Sequence, residues 1–520
     1  MRLLDLLMRD NLDSLNFQQG QGPPESLLQY IRSIRDLSLR RDFSPTKRNL
    51  PVLPRSVAVG MKPKKIHEVR YFADYIERLS NDISGSCGRD ISHLVDFGSG
   101  QNYLGRALAS APYNRRVVAV EGRENNVAAA RHLDRLAGLT VNKKVRRNKK
   151  LWNQVLEVLG PDKEGDPRAL AEAVKQVAGA EAFDFRPADE LGSQNELEAG
   201  KGHVQYVSGR LESGDLAGIL AEVKRPGTED KQRPASQFMA ISIHSCGNLS
   251  HHGIRSLVLN PDIRAIAIVG CCYNLVTEKL GPPTYKHAYL RPTLQALNGR
   301  VVEESDKRDP QGFPMSKRFS SYRGEGIRLN ITARMMACQA PQNWTRDESE
   351  DFFTRHFYRA VLQKIFLDRG VVGRVRHGQP GHKGTSGAFD VSTNPVVIGS
   401  LRKHCYGSLR AYVRGAVEKL TTSADYKQYA EVMRDKMAGM TDEEIDGYEE
   451  AYQPRRRELC VIWSLMAFSA TAVESLIVAD RWTYLVEHGH LVKQAWVETV
   501  FDYRQSPRNL VVVGVKRDDA

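Results

Sequence analysis

The clearest place for chemistry in the sequence is a glycine-rich turn that follows the first apolar strand. The turn leads directly into a helix and contains Asp96, Gly98, Ser99 and Gly100. Glycines let a backbone turn tightly against a ligand, and the first N–H groups of a helix have no partner within it. The next apolar strand ends in Glu121, a position from which a carboxylate accepts hydrogen bonds from both hydroxyls of a ribose. The two strand ends together predict a nucleoside-binding site.

The kind of nucleoside follows from the residues around the glycines. A dinucleotide-binding turn has the pattern G-x-G-x-x-G, but here Tyr103 stands where the third glycine is needed. Asp96 would repel a pyrophosphate and attract a cation. S-adenosylmethionine carries an ammonium and a sulfonium group and no pyrophosphate, so it is the expected cofactor. The alternative is a strand–turn–helix unit that binds no ligand.

Two further loops supply candidates for the acceptor side of a reaction. His244 follows the fourth apolar strand, and Tyr273 and Asn274 follow the fifth. Ligands of open parallel sheets lie beyond the carboxyl ends of the strands, so these loops are expected to border one pocket. His244 is the candidate general base, and Tyr273 or Asn274 the candidate for orienting an acceptor amine or ring. The alternative is that these side chains only pack.

Cysteines lie in the same two loops. Cys246, Cys271 and Cys272 with His244 have the side-chain types that bind zinc. Their spacing argues against it, because no C-x-x-C pair is present and adjacent cysteines do not easily bind one tetrahedral ion together. No metal is therefore expected.

Charge points to a polyanionic partner. The chain carries 75 Lys and Arg against 62 Asp and Glu, a net charge of +13. The local maximum is residues 141–150, VNKKVRRNKK, from which we expect Lys143, Lys144, Arg146 and Arg147 to contact a nucleic acid. The alternative is a solvated surface with excess lysine.

The elements that position these residues are strands and helices in alternation. The apolar runs at 92–100, 115–122, 203–209, 238–247 and 265–274 are continuous, which is typical of parallel strands buried on both faces. Helical patterns separate them. Near the C-terminus, the runs at 495–503 and 510–516 flank a short turn with a proline, which predicts a hairpin.

The domain organisation is inferred from the breaks in this alternation. We expect an N-terminal helical extension and linker at 1–60 and a core at 61–280 that contains an insertion at 141–202. A larger, mostly helical insertion at 281–460 precedes the last helices and closing hairpin of the core at 461–520.

Six motifs, taken in order, resemble the methyltransferase-like protein 25 family, which includes proteins called ribosomal RNA adenine dimethylase domain-containing. The resemblance runs from about residue 60 to the C-terminus, and the H-x-C-G and G-C-C-Y blocks are specific in combination. The motifs are MKPKKIHEV (61–69), DFGSGQNYLGRALA (96–109), HSCGNLS (244–250), VGCCYNLVTE (269–278), GFPMSKRF (312–319) and SPRNLVVVGVK (506–516).

The resemblance implies an α/β fold of the class I methyltransferase, Rossmann-like type. Its seven-stranded sheet has helices on both faces and ends in an antiparallel hairpin, and its methyl donor is S-adenosylmethionine. The sequence departs from the pattern at Asn102, where many such loops have a third glycine. Asparagine tolerates unusual backbone dihedrals.

The acceptor is less closely defined. Adenine-N6 methyltransferases place an Asn/Asp-Pro-Pro-aromatic tetrad after strand four, but this chain has His-Ser-Cys-Gly there. It therefore does not resemble an adenine dimethylase in its chemistry. We expect the two loops to form an acceptor pocket, with GFPMSKRF as a lid and Lys317 and Arg318 at its rim.

Three functions remain open at this point. The first is a methyltransferase that acts on RNA, the second a protein methyltransferase that recognises its substrate through the insertion at 281–460, and the third a donor-binding scaffold without turnover. Scattered cysteines, seven in number, suit a reducing compartment. No signal peptide and no transmembrane run are recognised, so we expect a cytoplasmic or nuclear protein without a membrane partner.

Overall fold

The fold is built on one mixed sheet of seven strands. A computed structural model describes residues 2–9, 22–44, 49–87, 90–139, 149–160, 166–178, 202–209, 211–224, 237–280, 309–376, 391–393, 396 and 398–518. Its strands are β1 His93–Phe97, β2 Arg116–Glu121, β3 His203–Ser208, β4 Phe238–Cys246, β5 Ile263–Cys271, β6 Arg374–Arg376, β7 Val391–Thr393, β8 Val492–Thr499 and β9 Leu510–Lys516.

The strand order of the main sheet is β3-β2-β1-β4-β5-β9-β8. The first five strands pair in parallel, and β9 pairs antiparallel with both β5 and β8. β6 and β7 form a separate two-stranded sheet. The chain order reverses between β1 and β4, which makes the carboxyl ends of these strands the ligand-binding edge.

Helices cover both faces of the sheet because successive residues of each strand point to opposite sides. The helices are α1 Leu3–Leu7, α2 Glu25–Asp36, α3 Arg55–Ala58, α4 Pro63–Cys87, α5 Tyr103–Ala109, α6 Glu124–Leu136, α7 Lys149–Leu159, α8 Pro167–Ala178, α9 Ala217–Lys224, α10 Leu249–Leu259, α11 Lys317–Ser320, α12 Ile331–Ala337, α13 Arg346–Asp368, α14 Leu409–Thr422, α15 Lys427–Met437, α16 Asp442–Tyr452, α17 Arg456–Phe468 and α18 Ala470–Glu487.

Two apolar cores form between the helices and the sheet. Leu94 of β1 belongs to the core under α4 and α5, whereas its neighbour Val95 belongs to the core under α9, α10 and α18. The same alternation occurs in β9, all of whose residues are buried. The continuous apolar runs of the sequence are therefore strands with two buried faces, and the predicted fold class is confirmed.

The helices α13 to α16 enclose an apolar core of their own, with Phe366 and Tyr412 among its fully buried members. At the other end of the chain, Leu7 and Ile31 of the N-terminal helices pack on Phe468 of α17. Both regions are helical, as expected. The boundaries of the four predicted domains stay a prediction.

One stretch passes a test of length and composition for crossing a membrane. The continuous helical stretch Asp442–Glu487 contains an 18-residue window of mean hydropathy 1.8, and half of that window is buried inside the protein. Within the stretch, α18 carries the buried charged residues Glu474, Asp480 and Arg481. Each makes a hydrogen bond to another part of the fold, which is typical of a helix that packs in a protein core.

Candidate active site

The glycine-rich turn between β1 and α5 has the backbone that the sequence predicted. Gly98 and Gly100 have φ of 65° and 57°, a region that other residues rarely adopt. The N–H groups of Gly98 and Ser99 both donate to the carbonyl of Val120, which folds the turn back against β2. A Cβ atom on Gly98 would lie 2.7 Å from the side chain of Leu249, so the position also requires glycine for space.

Asn102 takes the left-handed conformation expected of a third glycine, with φ 55° and ψ 40°. Its side-chain amide donates to the hydroxyl of Tyr206 at 3.0 Å. Tyr206 donates to Asp134, and Asp134 accepts from the Nε of the fully buried Arg106 at 2.9 Å. This network fixes asparagine in a conformation that costs about 1 kcal/mol or more for residues with a side chain.

Glu121 lies where a ribose would be bound. One carboxylate oxygen accepts from the N–H of Gly100 and the other from the N–H of Arg123, both at 2.9 Å. Each oxygen has a second lone pair, so the carboxylate can accept two more hydrogen bonds. The same residue thus orients the turn and keeps acceptors for the hydroxyls of a ligand.

Asp96 is buried at the end of β1, and none of the described residues hydrogen-bonds to its carboxyl group. Burial raises its pKa to about 8, nearby Lys65 opposes the shift, and the charge of Glu121 adds to it. The hydroxyl of Ser99 is buried without a partner as well. Unpaired polar groups beside an open turn fit a ligand with a cationic group, which S-adenosylmethionine has.

His244 pairs with a buried carboxylate on α4. Its Nε2 lies 2.9 Å from Oε2 of Glu68, which is fully buried. Glu68 also accepts from the hydroxyl of Ser506 at 2.7 Å, and the ammonium of Lys65 lies 2.7 Å from Oε2. Burial alone would raise the pKa of Glu68, but the hydrogen bond and charge of His244, together with Lys65, lower it to about 2. Glu68 is therefore an anion that orients the imidazole.

A β-bulge sets the direction of His244. Ser242 pairs with Ile268 and Ser245 pairs with Gly270, so two residues of β4 stand opposite one residue of β5. A bulge of this kind bends the strand and re-aims a side chain. About a third of the His244 side chain is exposed, so the ring reaches both the carboxylate and the solvent.

Tyr273 and Asn274 lie close to the same loops but are already engaged. Tyr273 is buried, and its hydroxyl donates to Glu474 at 2.8 Å. Its ring lies between the guanidinium groups of Arg481 and Arg508, at 5.4 and 5.7 Å. The side-chain oxygen of Asn274 accepts from the thiol of Cys338 at 3.4 Å. Tyr273 thus supports the floor of the site, while Asn274 remains partly exposed.

Three thiols meet beside His244. The Sγ atom of Cys246 is 3.2 Å from that of Cys271 and 3.3 Å from that of Cys272, and the latter two are 3.7 Å apart. The spacing of these cysteines in the sequence argued against a shared ion, yet their sulfurs lie together. The backbone at Cys272, with φ 44°, is what brings the adjacent side chains to one point.

The GFPMSKRF segment is part of the wall of the site. Phe313 is fully buried and exchanges backbone hydrogen bonds with Thr277 and Lys279, just after β5. The N–H groups of Met315 and Ser316 donate to Asp480. These bonds hold the first half of the segment in place, and its role as a lid stays a prediction.

The basic residues that were predicted to bind substrate lie in two different parts of the chain. Lys317 and Arg318 are exposed at the start of α11, where their backbone N–H groups donate to Glu487 at 2.7 and 2.8 Å. Lys143, Lys144, Arg146 and Arg147 lie outside the described residues, so their role stays a prediction.

Sequence reasoning did not single out Glu68, Lys65 or Ser506 as site residues. Glu68 and Lys65 lie in the MKPKKIHEV motif, and Ser506 begins SPRNLVVVGVK. Both motifs supported the resemblance to a known family. The charged and polar residues within them were the available signal that these segments contribute to the site. Glu68 meets His244 across 176 residues of chain and Ser506 across 438, so both contacts depend on how distant segments pack.

Comparisons with known proteins agree with this geometry. A methyltransferase domain family matches residues 64–279. The probable methyltransferase-like protein 25 of Mus musculus is 24% identical over 519 residues, which cover 88% of this chain and 75% of the relative. The Homo sapiens protein of the same name is 23% identical over 516 residues, with the same coverage. No solved structure matches the chain.

These matches confirm the resemblance that the motifs indicated. The chain is similar to methyltransferase-like protein 25 over most of its length, and its residues 64–279 match a methyltransferase domain. The matched range runs from the start of α4 to the segment after β5, so it includes Glu68, Asp96, Glu121 and His244.

Asp134→Ala should destabilise the protein by about 3–5 kcal/mol, because it leaves the guanidinium of Arg106 buried without its carboxylate. Urea unfolding followed by tryptophan fluorescence measures the change. Asp446→Ala is the matched control, since it breaks a surface ion pair with Arg410, whose contribution is small, and should leave the midpoint nearly unchanged. Equal midpoints for the two variants would contradict a structural role of the network.

Glu68→Gln should remove stability that depends on pH. The pKa of Glu68 is about 2 in the folded chain against an ordinary value of 4.5, so its charge stabilises the fold above pH 4.5, by about 3 kcal/mol. This contribution falls as pH is lowered toward 2, to less than half at about pH 3. The test measures the unfolding free energies of the wild type and of Glu68→Gln at several pH values. A difference between the two that does not narrow in acid would refute the prediction.

Proposed function

We propose that this protein, which is similar to methyltransferase-like protein 25, is an S-adenosylmethionine-dependent methyltransferase that acts on RNA. The observation that carries the proposal is the position of the Glu68–His244 pair. A histidine with a fixed orientation lies near the carboxyl end of β4, and the glycine-rich turn follows the adjacent strand β1. A base and a donor site at one sheet edge are what methyl transfer to a hydroxyl or an amine requires.

The donor would be held by residues of the first two strand ends. Glu121 would accept from the ribose hydroxyls. Asp96, whose pKa burial raises, would lose its proton when the ammonium group binds beside it and would then face that group as a carboxylate. The turn at Gly98 and Gly100 leaves room for the ligand beside the backbone. When bound, S-adenosylmethionine supplies a methyl group on a positively charged sulfur.

His244 would take the proton of the acceptor. Because the imidazole donates from Nε2 to Glu68, its other nitrogen, Nδ1, carries the free lone pair. The negative charge of Glu68 stabilises the imidazolium that forms when Nδ1 accepts a proton. Ser506 holds the second oxygen of Glu68, which restricts rotation of the carboxylate.

The net charge of +13 supports RNA as the acceptor. Cations also lie beside His244, since Lys64 and Lys65 in the first turn of α4 both lie near the carboxylate of Glu68, with about a half and a quarter of their side chains exposed. Phosphate groups on either side of an acceptor nucleotide would meet these ammonium groups. A cytoplasmic or nuclear location is part of this proposal, because RNA is found there.

A protein acceptor is the second candidate, and one observation favours it. The helices α13 to α16 form a module with its own apolar core, and such a module can recognise a folded partner. The deciding experiment transfers tritiated methyl groups into fractionated cell extract. Label that nuclease removes and protease leaves supports RNA as the acceptor. Label that protease removes and nuclease leaves supports protein. If a folded preparation of the protein transfers no label to any fraction, both proposals are overturned.

Glu121→Ala should weaken binding of S-adenosylmethionine on the order of a hundredfold. The variant loses charge-assisted hydrogen bonds to two ribose hydroxyls, which contribute roughly 2–3 kcal/mol. Isothermal titration calorimetry on the folded variant measures it. The control is Glu124, an exposed acid on the next helix. Glu124→Ala should bind S-adenosylmethionine with the same affinity as the wild type. Unchanged affinity in Glu121→Ala would remove the donor site from this position.

His244→Ala should lower turnover by about a hundredfold or more and leave donor binding nearly intact, because the residue acts on the acceptor proton. Glu68→Gln should lower turnover less, since the amide can still accept from the imidazole. Methyl incorporation and calorimetry on the same preparations separate the two effects. Full activity in His244→Ala would exclude the residue as the base.

Reversal of three of the six positive charges in the run 141–150 should lower RNA affinity. The slope of log affinity against log salt concentration should become shallower by about two to three. For each phosphate contact that is lost, binding releases about one counterion fewer. Fluorescence anisotropy with labelled RNA over a range of salt concentrations gives the slope. A slope equal to that of the wild type would show that the run is only a solvated surface.

A further inference from the structure

The thiols of Cys246, Cys271 and Cys272 form a compact triangle that the proposed methyl transfer does not use. Their sulfur atoms are 3.2, 3.3 and 3.7 Å apart. Cys271 is buried, whereas Cys246 and Cys272 are each partly exposed. The triangle thus has a side that solvent can reach, unlike a set of cysteines packed as small apolar residues.

The fold places the three side chains by two separate devices. Cys246 and Cys271 are direct partners in the pairing of the parallel strands β4 and β5, at their carboxyl ends. Cys272 then takes the left-handed conformation, with φ 44° and ψ 52°, which turns its side chain toward that of its neighbour. Without this reversal, adjacent residues of an extended chain point to opposite sides.

The triangle has nearly the dimensions of three ligands around one zinc ion. Zinc–sulfur bonds of about 2.3 Å in a tetrahedral arrangement separate the sulfurs by about 3.8 Å. The three sulfurs would therefore move apart by only a few tenths of an ångström. Among the described residues, no fourth Cys, His, Asp or Glu belongs to the group.

Two neighbouring side chains favour negative charge on the sulfur of Cys272. Arg508 and His244 both interact electrostatically with Cys272. Cys338, the nearest other thiol in this part of the fold, donates to Asn274 instead. Three thiolates on a divalent ion have a net charge of −1, which a neighbouring guanidinium partly offsets.

We propose that Cys246, Cys271 and Cys272 bind one zinc ion through three thiolates, with the fourth position of the ion open to solvent beside His244. Binding breaks three S–H bonds, forms three zinc–sulfur bonds and releases three protons, and nothing is oxidised or reduced. Zinc sites with three protein ligands keep a position for water or substrate. The ion would thus border the pocket that contains His244.

The test measures metal in the full chain, purified with reductant and without chelator. Mass spectrometry of the metal content should find about one zinc ion per chain in the wild type and in Cys338→Ser, a nearby thiol outside the triangle. Cys272→Ser should retain far less. Cobalt(II) added to the apoprotein should give thiolate-to-cobalt charge-transfer absorption that Cys272→Ser lacks.

A second measurement does not depend on whether a variant folds. In the wild type, zinc should protect Cys246, Cys271 and Cys272 from alkylation by iodoacetamide, and a chelator should abolish that protection. The proposal is overturned if the reduced wild type binds neither zinc nor cobalt, or if a variant with all three cysteines replaced by serine keeps the ion. A disulfide between two of the three in protein kept under reductant would overturn it as well.

Discussion

The buried carboxylate of Glu68 is the interaction on which the candidate active site depends. It accepts from His244 near the end of β4 and from Ser506 between β8 and β9, and it is itself part of α4. A buried anion of this kind is stable only with all its partners present. Three segments far apart in the chain are therefore fixed relative to one another at the edge where the parallel strands end.

The turn after β1 is fixed in a comparable way from the opposite side. Tyr206 of β3 and Asp134 of α6 hold Asn102 in the left-handed conformation, and Glu121 of β2 binds the N–H of Gly100. Both halves of the site therefore depend on polar groups buried beneath them. Such networks give a single geometry when every member has its partner, which suits a reaction that requires accurate alignment.

The cluster next to β4, after the neighbouring strand β5, is cationic and aromatic. Arg41 and Arg508 donate to the carboxylate of Glu474, which also accepts from Tyr273. These contacts hold the loop after β5 against α18. The hydroxyl of Tyr273 supplies a hydrogen bond to the second oxygen of the buried Glu474, which a buried carboxylate requires.

The sheet was predictable from the sequence, because continuous apolar runs that alternate with helical patterns are typical of parallel strands with two buried faces, and the glycines at 98 and 100 predicted the turn. The partners of the candidate site were decided by tertiary structure. Nothing local to His244 indicates Glu68, and nothing local to Cys271 and Cys272 indicates that a bulge, a strand pairing and one left-handed residue bring their sulfurs to Cys246. Periodicity reports which face of an element is buried, whereas contacts between distant polar side chains depend on how the elements pack.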